Sequence, residues 1–169
     1  MVKNPVLAVA FGLTILAGSY AARSEEHDQQ ALIKAMGEAK VSLQQGLTAS
    51  QRDGRPISAK YELEGGKLQL SVYTEKDGKL FEVIVDHTNG AAAKTEAITQ
   101  GDDLTHAKSQ SAAMSKAKTQ LKDAVDRAIG KAAGARAVSA TAQMKGGHAV
   151  ASIELLRGGK IEAAEEQLD

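Results

Sequence analysis

Apolar residues occur along this chain in three patterns. Val6–Ala17 is an uncharged run of twelve. Leu32, Met36, Ala39, Leu43 and Leu47 then recur at three- and four-residue spacings, which predicts one amphipathic helix. Ser24 with Glu25, Glu26 and Asp28 suits its start, where acidic side chains meet the positive end of the helix dipole. Gln51–Pro56, with Gly54 and Pro56, breaks it. The third pattern is alternation. Ile57–Leu63, Leu68–Tyr73 and Phe81–Asp86 alternate apolar with polar residues, separated by Gly65-Gly66 and Lys76-Asp77-Gly78. Period two with glycine turns predicts an antiparallel meander, one face packed under the helix and one wet. Asn89-Gly90 is a further turn, and Ala91–Ile98 reads as a fourth, weak edge strand.

The same order then returns. Ala35, Met36, Ala39, Lys40 and Leu43 recur as Ala113, Met114, Ala117, Lys118 and Leu121, at an offset of 78. Ser58, Ala59, Gly66, Ser71, Gly78 and Lys79 recur as Ser139, Ala140, Gly147, Ser152, Gly159 and Lys160, at an offset of 81. A connector three residues longer reconciles the two offsets. Asp102, Asp103 and Thr105 suit a helix start, Met114, Ala117, Leu121, Val125 and Ala128 form its stripe, and Gly134 ends it. This predicts one helix from about Leu104 to about Ala132. Strands follow at Val138–Met144, Ala149–Leu155 and Ile161–Ala164. The expected architecture is α+β, with two repeats, each a helix packed on a small antiparallel β-meander. The boundaries are 1–22 for a leader, 23–101 for the first repeat and 102–169 for a second, truncated one.

The leader is read from Lys3, the apolar run, and small residues at Ser19 and Ala21. That is the pattern of a secretory signal peptide cleaved after Ala21 or Ala22, so the expected location is periplasmic or secreted. A spanning helix needs about 20 apolar residues, more than this run supplies. Ser19 stands where a lipid-anchored protein needs Cys.

Composition narrows the function. Lys+Arg and Asp+Glu are both 21 in 169 residues. The balance holds in each half, with 10 basic and 12 acidic residues in 22–101 and 10 against 9 in 102–169, so neither half carries a nucleic-acid footprint. Absence of Cys removes disulfides, thiolate metal sites and cysteine nucleophiles. Ala supplies 30 of the residues counted as hydrophobic, and Tyr61, Tyr73 and Phe81, the aromatics beyond the leader, all lie in the first repeat. The second core is therefore expected to be the weaker, because a buried Ala contributes far less than a large apolar side chain.

Phe81–Gly90 carries a strand, then Asp86, two variable residues, Asn89 and Gly90. This resembles the signature of the PepSY domain, which ends in a strand followed by Asp, two variable residues, Thr or Asn, and Gly. Lys118–Leu168 resembles the same module in Ala137–Ala140 and Gly158-Gly159-Lys160, but stops before the Asp…Gly turn. The resemblance implies an exported module that binds or restrains peptidases, as related modules do in propeptides of thermolysin-like metalloproteases. From turn chemistry alone, Asp86, Asn89 and Gly90 have a structural role: Asp and Asn bond their own backbone and Gly accepts positive φ.

Sequence motifs for catalysis are missing. His27, His87, His106 and His148 have no second His at ligand spacing, and no nucleophile elbow, P-loop or dinucleotide fingerprint occurs. The expectation is a non-catalytic protein with no cofactor or metal, whose partner is a protein or peptide, with no nucleic acid and no membrane after cleavage. The alternative is a small-ligand or metal-sensing periplasmic protein using Asp86, His87 and the acidic Glu25–Asp28 stretch. The helix after Asp102 has Lys-rich polar positions but no Trp or Phe to anchor it in a bilayer, so it is assigned to its own sheet. The edge at Ala91–Ile98 is the place where a partner strand could add.

Overall fold

The computed structural model describes residues 21–169, so the leader falls outside the described residues except for its last two. The described residues form an α+β fold, with four α-helices and one antiparallel sheet of seven strands. Helix α1 spans Ala21–Ala35 and continues as a 3-10 turn, Met36–Glu38; α2 is Leu43–Ala49, followed by a 3-10 turn, Ser50–Asp53. Strands β1 (Arg55–Glu64), β2 (Lys67–Lys76), β3 (Lys79–Val85) and β4 (Ala92–Ala97) follow. Then come α3 (Gly101–Lys116), α4 (Leu121–Lys131), β5 (Arg136–Lys145), β6 (His148–Arg157) and β7 (Lys160–Gln167).

Each long helix predicted from periodicity is two helices. After Glu38 the backbone turns extended at Ala39 (ψ 117°), and the N–H groups of Lys40 and Val41 both donate to the His87 carbonyl, at 2.9 and 3.0 Å. Ser42 then restarts the helix: its hydroxyl accepts from the Gln45 N–H, and the Gln45 side chain accepts from the Ser42 N–H. The second break has the same form. Ala117 is extended (ψ 138°), and the N–H groups of Lys118 and Thr119 donate to the Leu168 carbonyl at 2.6 and 3.0 Å. Ala39 and Val41 stay buried through the first break, so the apolar period runs on across it. Helix α1 also begins earlier than expected, which leaves Glu25 and Glu26 beyond its first turn.

The strand order is β4-β3-β2-β1-β5-β6-β7. All strands therefore join one sheet, through a short β1–β5 pairing in which Ser58, Ala59 and Lys60 oppose Thr141, Ala140 and Ser139. On one face, Tyr61, Leu70 and Val85 align across β1, β2 and β3, and Ala59, Ala140 and Ile153 across β1, β5 and β6; all are buried. Helices α2 and α4 cover this face side by side, and Gln44 of α2 donates to Asp126 of α4 at 3.3 Å. At its margin the buried Glu166 carboxylate of β7 accepts from Lys131 (2.6 Å) and Arg127 (3.3 Å) of α4. The opposite face is not left wet. Helix α3 lies on it, with Asp103, His106 and Gln110 over Ser58, Lys60, Tyr73 and Thr141. The second part of the core is built largely of Ala, including Ala124, Ala128, Ala140, Ala142, Ala149 and Ala151, as composition implied.

The buried Tyr61 hydroxyl donates to the Val41 carbonyl and so pins the α1–α2 break onto β1. Burial pushes the Tyr61 pKa up to about 12, against a small opposing pull from Arg136. The folded state thus favours the neutral phenol. That stability is intact below the ordinary pKa of 10.0 and is lost as pH rises towards 12. Tyr61→Phe should cost about 1–2 kcal/mol at neutral pH, because it strands a buried carbonyl. It should also flatten the loss of stability between pH 10 and 12, which urea titrations at stepped pH would detect. An unchanged alkaline limb would remove Tyr61 from this account.

Candidate functional site

The signature turn closes on itself. Asp86 Oδ1 accepts from the Thr88 N–H (2.7 Å), the Thr88 hydroxyl (2.6 Å) and the Asn89 N–H (3.3 Å); Oδ2 accepts from Asn89 Nδ2 (2.9 Å). Asn89 Oδ1 accepts from the Ala91 N–H (2.8 Å), and Gly90 takes φ 79°. The Thr88 hydrogen bonds hold the Asp86 carboxyl below its ordinary pKa. These bonds account for Asp86, Asn89 and Gly90 as builders of the turn from β3 into β4, and they position β4. His87 serves through its carbonyl, which carries the α1–α2 break. Among the described residues, no group of three His, Asp or Glu side chains is close enough to hold a metal ion.

The turn places β4 at one edge of the sheet, where the sequence put a weak edge strand. Ala93 to Ala97 are exposed. The Ile98 N–H donates to the Leu80 carbonyl at 2.8 Å, and Glu82↔Glu96 and Ile84↔Lys94 share its parity in the ladder. In an antiparallel pair, hydrogen-bonded and non-bonded pairs alternate. Thr95 and Ala97 therefore turn their N–H and C=O groups away from β3, to the open side. Beside the end of β4 lies a groove of about 530 Å³ between the sheet and α3, floored by Leu80, Ala97, Ile98 and Leu104. Its volume is in the range of ligand pockets. Lys79 and Lys108 stand on its rim, and neither forms an ion pair among the described residues.

A second, polar cleft of about 100 Å³ lies deeper under α3, lined by Ser58, Lys60, Tyr73, Asp103, His106 and Gln110 among others. Lys60 Nζ sits 5.7 Å from the centroid of the Tyr73 ring and 2.7 Å from Glu62. Burial, then the negative charges of Glu82, Glu62 and Asp103, hold the Tyr73 phenol neutral well above its ordinary range. Burial likewise raises the Glu82 pKa. Gln110 Oε1 is buried without a hydrogen-bond partner. Alternation placed Lys60 and Tyr73 on the wet face, and nothing local in the sequence shows that α3 returns to cover them.

Two arginines escaped the sequence reading. Arg136 donates to the carbonyls of Met36 (3.1 Å) and Ala39 (3.0 Å), and Arg55 donates to the Met114 carbonyl (2.9 Å). Each ties the end of the first helix of one half to a strand of the other. The signal was present, since Arg55 and Arg136 share the offset of 81 and Met36 and Met114 that of 78. Models of known protein families give no match to this chain, and neither a curated protein nor a solved structure matches it significantly.

Proposed function

We propose that this protein is a non-catalytic, exported interaction module that binds an extended segment of a protein partner, a peptidase by the family resemblance, along the free edge of β4. The observation that carries the reading is the conjunction of an open strand edge with an apolar groove at its end. Main-chain groups of Thr95 and Ala97 supply generic affinity, and the groove takes a side chain, as in strand addition generally. The leader read into residues 1–22 supports export.

The two halves are proposed to be copies of one PepSY-like helix-on-meander module. The paired offsets support this, as do the matching carbonyl clamps at His87 and Leu168 and the reciprocal arginines. Among the described residues, the first half alone carries a β4-type edge strand. A peptidase-inhibition assay tests the reading. The purified protein should slow an envelope or secreted peptidase, and Ala97→Pro, which deletes one outward N–H on an exposed edge, should weaken inhibition about tenfold. Equal inhibition by the folded variant would exclude β4 as the binding edge.

A further inference from the structure

The β4 edge is self-complementary, and we propose that two copies of this chain pair through it, antiparallel about a two-fold axis at Thr95, making one continuous sheet of fourteen strands. Ala93-Lys94-Thr95-Glu96-Ala97 read backwards exchanges Lys for Glu and leaves the other residue types in place. With Thr95 opposite Thr95 of the second copy, each Lys94 stands directly across from Glu96 of the other, on the face away from Thr95. The outward N–H and C=O groups of the two Thr95 residues then satisfy one another.

The register follows from charge. Pairing of outward backbone groups requires odd-numbered residues to face odd-numbered residues. The neighbouring register towards Ala93 sets Lys94 against Lys94, and the one towards Ala97 sets Glu96 against Glu96. Like charges directly opposite are unfavourable, and of these three registers the one centred on Thr95 alone escapes them and pairs opposite charges. Lys94 and Glu96 already form a 2.9 Å ion pair within the strand while both remain more than half exposed, so the pair is free to open into a four-residue network across the axis. The other edge strand, β7, has no such symmetry, since it carries Glu162, Glu165 and Glu166 with Lys160 as its only cation. The register shift that places Ala93 at a bulge keeps the pairing short, so the dimer is weak and concentration-dependent.

Self-pairing uses the same β4 edge but does not depend on peptide binding there. Sedimentation velocity of the purified chain over a concentration series up to about 1 mM tests it. The wild type should shift reversibly from monomer towards dimer. Lys94→Glu and Glu96→Lys should each stay monomeric, and an equimolar mixture of the two should dimerise again. The double exchange, Lys94→Glu with Glu96→Lys, should dimerise like the wild type. Both side chains are solvent-exposed, so circular dichroism should show every variant folded. A wild type that remains monomeric throughout, or single variants that dimerise as well as it does, would overturn the proposal. A monomer that still slows a peptidase would overturn it while leaving the peptide reading intact.

Discussion

Gly54→Ala is expected to destabilise the fold by about 3–5 kcal/mol, from backbone strain and overpacking together. Gly54 lies between the Ser50–Asp53 turn and β1, with φ 135° and ψ 179°, a region that side chains with a Cβ almost never enter. A Cβ there would sit 2.7 Å from the Glu75 carbonyl oxygen and 2.9 Å from its carbon. Those are backbone atoms of β2, held in the ladder, and they cannot swing aside as a side-chain end can. The turn is also stapled to β2, since the Thr74 hydroxyl donates to the Asp53 carbonyl (3.1 Å) and Lys76 donates to that of Arg52 (3.3 Å). At this chain length a loss of 3 kcal/mol lowers Tm by about 6–12 °C. Thermal and urea unfolding would measure it, and a loss below about 1 kcal/mol would mean that the junction can rebuild itself.

Leu70→Ala should cost about 3–5 kcal/mol. Leu70 is fully buried, between Tyr61 and Val85 on the sheet and beneath Gly46 of α2. The informative experiment adds Gly46→Ala. A Cβ at Gly46 would lie 2.6 Å from Leu70 Cδ2, so the leucine occupies the space that the glycine leaves. At the offsets of 78 and 81 these two positions become Ala124 and Ala151, both fully buried: Ala with Ala where the first half has Gly with Leu. Gly46→Ala alone forces its methyl against Leu70 but gains about 1 kcal/mol of helix propensity, so its net loss should stay below about 2 kcal/mol. In the double variant the new methyl enters the cavity, and stability should recover by about 1–2 kcal/mol over Leu70→Ala alone. Strict additivity in that cycle would show that the two side chains do not share one space.

How much of this was legible depended on the range of the interactions. Alternation with glycine turns located the other strands, and the Asn89-Gly90 turn marked the start of the weak edge strand β4, because the side-chain period of a strand and the φ requirements of its turns are local. Asp86, Asn89 and Gly90 were legible for the same reason, since nearly every bond they make falls within five residues. The helix breaks were not. Their partners are the carbonyls of His87 and Leu168, about fifty residues away, and the apolar spacing keeps its phase through the extended residues. A local cue did exist at the first break, where Ser42 and Gln45 have capping-box spacing, but an unbroken period concealed it.

By itself the sequence determined the class α+β, the strands with their alternating faces, the Ala-poor and Ala-rich halves of the core, and the self-complementary charges of β4. All of these follow from side-chain periodicity, turn chemistry and composition. The tertiary structure decided that the strands join in one sheet through β1 and β5, and that α3 lies across the polar face and partly buries Tyr73. It also decided that the backbone of Thr95 and Ala97 is left open. These depend on which long-range backbone pairings satisfy their hydrogen bonds while burying the most apolar surface. That choice is made by the whole chain at once, and no window of sequence contains it.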